Sequence, residues 1–166
     1  PLMQKADLFP EATWHFIGNI QSRRLRDVVG RAALIHSLFE QSHARKIDEL
    51  ARGLGIVQNA LLEVNVSGEA SKSGLEPKGV RGMLEACAQL ANLRVTGLMT
   101  MAPIGSDDVA RATFDGLRRL RDQLQSDFPN LTELSMGMTD DWPIAVQEGA
   151  TIVRIGRAIF SDQWDG

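Results

Sequence analysis

Short apolar runs alternate with amphipathic stretches along this chain of 166 residues, and that alternation constrains the fold more than any other feature. Strand-like runs occupy residues 13–18, 33–39, 60–66, 94–101, 133–137 and 151–156. After the second run, Ala44, Ile47, Ala51 and Leu54 recur at helical spacing, with Ser42 the expected N-cap. Pro77 opens a further helix with the stripe Val80, Met83, Leu84, Cys87 and Leu90. Ser106 or Asp107 caps the next, striped by Val109, Thr113, Leu117, Leu120 and Leu124 and stopped before Pro129. Asp140 and Asp141 begin a short helix that ends near Gly149. The Arg-rich stretch 21–31 reads as polar connection. Strand-then-helix repeats of this kind give parallel strands with helices packed outside. A closed barrel of such units needs eight, in roughly 200–250 residues. Six are visible, so the residues leave open a complete open α/β sheet and the last six units of a barrel whose start is absent.

Composition narrows the function classes. A net charge of −3 argues against nucleic-acid binding, which needs excess Lys and Arg to neutralise phosphates. No apolar run approaches the roughly 18 residues of a bilayer span, and no charged-then-apolar leader opens the chain. The single cysteine, Cys87, cannot form an internal disulfide and falls on an apolar helix face, which predicts a buried structural thiol in a cytoplasmic protein. One Cys and three scattered His offer no ligand-pair spacing for zinc. The opening Pro1-Leu2-Met3 reads as a processed or trimmed start.

In parallel α/β folds, ligands bind at the carboxyl ends of the strands. After the fifth run come Ser135, Gly137 and Thr139, then the start of a helix. Glycine permits a close turn, hydroxyls donate, and the helix start adds free N–H groups, a combination suited to phosphate. Asp140 and Asp141 weigh against an anion unless they point away as caps, and simple capping is the plainer reading of this segment alone. After the sixth run come Arg154, Gly156 and Arg157, with Arg154 and Gly156 on one strand face. An inward Arg is costly unless it meets an acceptor. Two such loops in succession match the common barrel phosphate site after strands seven and eight. His15, between Trp14 and Phe16, reads as a ligand contact or, more plainly, a satisfied core histidine. Met99 and Met101 read first as core filling. Lys72 sits in a polar loop, and Arg118, Arg119 and Arg121 mark a solvated helix face. No nucleophile–His–acid spacing is evident.

Several segments together resemble one family. Trp14-His15-Phe16-Ile17-Gly18 with Gln21-Ser22, Val64-Asn65-Val66 leading to Lys72-Ser73-Gly74, and Gly97-Leu98-Met99 occur in order. They are followed by Leu134-Ser135-Met136-Gly137-Met138-Thr139 and by Val153-Arg154-Ile155-Gly156 with Ala158-Ile159-Phe160. Over residues 11–160 the chain resembles the pyridoxal-phosphate homeostasis proteins (YggS/PROSC type), single-domain relatives of the alanine racemase barrel. The resemblance implies an α/β fold, a TIM (β/α)8 barrel of the alanine racemase N-terminal type, here one domain over 1–166 lacking about the first two βα units. It implies pyridoxal 5′-phosphate as cofactor and a non-catalytic role in intracellular vitamin B6 and amino-acid homeostasis. The phosphate would be held by Ser135 and Thr139 with backbone from Gly156 and Arg157, and Arg154 would face the pyridine nitrogen. Gly137, His15 and Met99 complete the expected cofactor-binding set. Arg157 stands where the family often has Thr or Ser, and Ser161 where Gly is usual.

The family's Schiff-base lysine precedes everything present here, and Lys5, Lys46, Lys72 and Lys78 match no such position. A racemase-like or other phosphate-binding barrel enzyme is the alternative, although racemisation needs a base on each face of the substrate carbon and no such pair is visible. A full-length protein of this family is expected to be monomeric. A piece lacking two strands is expected to expose sheet edges at the first and last visible strands and to self-associate through them.

Overall fold

The computed structural model describes residues 6–69 and 72–160; Lys5 and Ser161 lie outside them. Six strands form one sheet in chain order: β1 (His15–Phe16), β2 (Leu34–Leu38), β3 (Gln58–Glu63), β4 (Leu93–Met99), β5 (Glu133–Met138) and β6 (Ile152–Arg154). Every neighbouring pair is parallel, as strand–helix repeats require. The helices are α1 (Gln41–Leu54), α2 (Val80–Ala88), α3 (Asp107–Gln125), α4 (Trp142–Gln147) and α5 (Arg157–Phe160).

The sheet is curled. Three strand spacings separate β2 from β5, about 14 Å in a flat sheet. Yet the His36 side chain of β2 hydrogen-bonds the Ser135 side chain of β5 at 2.8 Å. Only a sheet rolled into a trough brings those two together. Helices cover its outer face, where Ile47, Ala51, Val80, Leu84, Phe114 and Leu117 join one buried cluster. Inside, Leu34, Leu61 and Met99 form a second, smaller cluster with Ile152 against it. The period-2 alternation of strands then puts His36 on the face of Leu34, Glu63 on that of Leu61 and Arg154 on that of Ile152. β1 and β6 are the two ends of the sheet.

Several local expectations are corrected. Ser42 lies inside α1, not at its cap: Glu40 is the N-cap residue, and Ser42 Oγ donates to Glu40 Oε2 at 3.1 Å. Leu54 is exposed because the helix stops beside it, at Gly55 with φ of 67°. Val109 is exposed as well, in the first turn of α3, before the helix settles onto the sheet. The stretch 21–31 is no polar connection: a 3-10 helix, Ser22–Asp27, buries Leu25, and Val28 and Val29 follow it into the core. Pro77 opens a 3-10 turn, Pro77–Gly79, that feeds α2. Arg118 is not simply solvated but pairs with Asp115, and Arg111 meets Glu148 at 2.8 Å, tying α3 to the end of α4. Met101 is 38% exposed and fills no core.

Gly97 is demanded by packing. A Cβ there would collide with the carbonyl oxygen of Glu133 on the neighbouring strand. Cys87 is buried, and burial pushes its thiol up to about 11, well away from a reactive thiolate. Among the described residues, no helix is long and apolar enough to cross a membrane.

Candidate functional site

The carboxyl ends of β4, β5 and β6 converge on Arg154. Its Nη1 donates to Ser135 Oγ at 2.7 Å and its Nη2 donates to the Thr100 carbonyl at 3.0 Å. Those two acceptors offset the cost of bringing a cation inward. Burial lowers the pKa of Arg154 from its ordinary value, while the carboxylates of Asp141 and Glu63 oppose that shift. Thr100 is anchored in turn, its Oγ1 donating to the Val64 carbonyl at 2.8 Å.

Ser135 is fully buried, and its hydroxyl lies between Arg154 and His36. His36 was not singled out in the sequence, although it is a polar residue on the inward face of an apolar run, and that was the available signal. It is fully buried. Burial first, then the neighbouring His15 and Arg154, lower its pKa to about 4, so the ring is neutral at pH 7. His36 Nε2 lies 3.0 Å from His15 Nδ1, with ring centroids 5.1 Å apart. His15 is therefore no core histidine: it is exposed at the sheet edge and bonded inward.

The turns after β5 and β6 touch. The Gly156 N–H points to Thr139 Oγ1 at 3.4 Å. Gly137 adopts φ of 91°, and a Cβ there would lie 2.5 Å from the Ala145 Cβ, so the turn packs directly on α4. At Gly156, by contrast, a Cβ would meet nothing within 4 Å among the described residues. The adjacent carboxylates are both engaged. Asp141 Oδ1 accepts the Met138 N–H at 2.6 Å, and Asp140 pairs with Arg157 at the exposed rim.

Two cavities meet at Arg154. One, of about 430 Å³, is bordered by Pro103, Gly137, Asp141 and Arg157; the other, of about 350 Å³, by His15, His36, Ile152 and Gly156. The structure thus puts Gly156 and Arg157 on the cavity borders, with Thr139 joined to Gly156 but bordering neither cavity, and links Arg154, Ser135 and, through His36, His15 by hydrogen bonds. Met99 is buried against Leu34 and Leu61 and borders neither cavity. Lys46, Lys72 and Lys78 stand outside both, paired with Glu49, Glu69 and Glu76. Hydroxyl and amide donors beside a fixed guanidinium can hold an anionic ester and set a cation against an attached ring.

Residues 3–163 match the model of the alanine racemase N-terminal domain family. The pyridoxal phosphate homeostasis protein of Aquifex aeolicus is 43% identical over 152 residues, covering 90% of this chain and 67% of the relative. That of Synechocystis is 35% identical over 165 residues, covering 98% of this chain and 76% of the relative. The chain thus spans roughly two thirds to three quarters of these two relatives. Among solved structures, PipY of Synechococcus elongatus superposes with a TM-score of 0.85 without PLP, at 36% identity, covering 93% of this chain and 73% of that one. The form with PLP bound gives 0.82 at 35% identity, with the same coverage. An alanine racemase of Clostridium difficile, 14% identical, shares the fold with a TM-score of 0.77, covering 93% of this chain and 43% of that one. On sequence, fold and the order of its motifs, the chain belongs to the pyridoxal phosphate homeostasis protein family, built on the alanine racemase N-terminal domain.

Proposed function

We propose that this chain carries the phosphate and ring contacts of a pyridoxal 5′-phosphate-binding protein that acts in the cytoplasm as a non-catalytic carrier in vitamin B6 and amino-acid homeostasis. The observation that carries this reading is the placement of Arg154. Ser135 and Thr100 fix its guanidinium just beneath the turns bearing Thr139 and Gly156. The relative PipY binds PLP, and its fold superposes on this one.

The residues fit the group. Thr139 and the backbone of Gly156 and Arg157 would hold the phosphate, and among the described residues nothing crowds the Gly156 backbone. Arg154 faces the pyridine nitrogen, and a permanent cation there disfavours protonating that nitrogen. When bound, pyridoxal 5′-phosphate supplies an aldehyde on an electron-accepting ring, and an unprotonated ring is the weaker electron sink. A carrier needs no more than that. Ser135 acts from beneath, through Arg154, because its hydroxyl already has two internal partners. His15 borders the same cavity as Gly156, and Met99 supports the floor.

The trough is six strands of an eight-stranded barrel, and two further βα units closing on β1 and β6 complete it; unclosed, those edges lead the chain to self-associate. Equilibrium dialysis tests the binding reading. Pyridoxal 5′-phosphate binds the wild-type chain, and Arg154→Ala weakens it by about tenfold or more. Equal binding to both proteins sinks the assignment.

A further inference from the structure

We propose that His36 is a positioning residue: it fixes the direction of a hydrogen-bond chain, Arg154 to Ser135 to His36 to His15, whose middle link is buried, and so holds the Arg154 guanidinium in place for the cofactor ring. The inference rests on the cofactor reading above.

Donor and acceptor bookkeeping gives the chain one direction. Arg154 can only donate, so Ser135 Oγ accepts from it at 2.7 Å. Ser135 is fully buried, and among the described residues the acceptor within reach of its own proton is His36 Nδ1, at 2.8 Å. His36 Nδ1 therefore carries no proton. A neutral imidazole then carries its proton on Nε2 and donates it to His15 Nδ1 at 3.0 Å. Reversing the His36 tautomer points two donors at the Ser135 oxygen and leaves the buried serine proton without a partner among the described residues. Removing the imidazole removes the acceptor that holds the Ser135 hydroxyl, and the hydroxyl is then free to turn away from Arg154. The second anchor, the Thr100 carbonyl, holds only one of the two terminal nitrogens. The contact is also long-range. It joins β2 to β5 across the trough, so the second strand unit controls a group presented by the sixth.

The test compares His36→Asn, His36→Leu and Ser135→Ala in the full chain, with two readouts. The first is ring-nitrogen NMR of the histidine-labelled wild type. His36 shows an unprotonated Nδ1 and a protonated Nε2; the opposite tautomer overturns the inference whether or not any cofactor binds. The second is binding of two probes, pyridoxal 5′-phosphate and inorganic phosphate, by dialysis. His36→Leu weakens pyridoxal 5′-phosphate about tenfold and leaves inorganic phosphate unchanged. His36→Asn, whose amide oxygen can take the place of Nδ1, restores affinity to within about twofold. Ser135→Ala behaves like His36→Leu and serves as the small-volume check where the leucine variant does not melt cooperatively. Unchanged cofactor affinity in His36→Leu and Ser135→Ala overturns the positioning role. Parallel loss for both probes overturns it too, since that is the pattern of general unfolding. A wild type that binds no pyridoxal 5′-phosphate sinks the cofactor reading instead, and the two failures are told apart.

Discussion

His36 Nδ1 on β2 lies 2.8 Å from the Ser135 hydroxyl on β5, and this contact spans the interior of the curled sheet. It couples the fold's curvature to its site, because flattening the sheet would break it. It also links stability to pH. His36 is held down to about 4 in the folded chain against 6.5 ordinarily, so the unfolded chain binds the extra proton first. Stability from this residue is complete above pH 6.5 and is lost as pH falls from there towards 4, by on the order of 3 kcal/mol. Urea unfolding at pH 7 and pH 4.5 measures the loss, and His36→Asn flattens the dependence. An equal pH slope in that variant counts against a neutral buried imidazole.

The turns after β5 and β6 are predicted to hold the phosphate independently of the ring. Thr139→Val removes the hydroxyl while keeping the shape. Dialysis is expected to show pyridoxal 5′-phosphate and inorganic phosphate weakened by a similar factor, about tenfold for one lost charge-assisted hydrogen bond. Loss for only one of the two probes contradicts the shared phosphate seat.

Gly97 leaves no room for a side chain beside Glu133. Gly97→Ala is expected to push β4 from β5 and to cost about 3 kcal/mol, the upper end for overpacking in a close-packed interior. A denaturant midpoint within error of wild type would show that the two strands separate at no cost.

Cys87 belongs to the packed face of α2, and burial pushes its thiol to about 11. A thiol reagent at pH 7.5 is expected to leave it unmodified in the folded protein and to label it fully in denaturant. Rapid labelling under native conditions would place the α2 face at the surface.

Much of this architecture was legible in the residues. The alternation of short apolar runs with helical stripes located all six strands, since each kind of element buries its apolar residues with its own period. The loops after β5 and β6 were legible for the same reason: Gly137, Thr139 and Gly156 are types a strand-to-helix turn and an anion both use. What sequence did not yield was pairing across the trough. His36 and Ser135 are 99 positions apart, and only the curl brings them together. Ser135 accordingly read as a direct phosphate ligand when its hydroxyl is buried between Arg154 and His36, and the plainer reading of His15 as a core histidine missed that it is the outer end of a chain of hydrogen bonds. Leu54 and Val109 misled because a stripe says which face is apolar, not where a helix leaves the sheet.

Backbone amide shifts during a titration with pyridoxal 5′-phosphate report most directly where the cofactor sits. The largest changes are predicted at residues 137–139 and 155–157, with Ser135 and the His36 side chain responding through Arg154. No change there, or the largest changes in a separate cavity at the amino ends of β3, β4 and β5, lined by Val57, Leu93 and Pro129, would contradict the site.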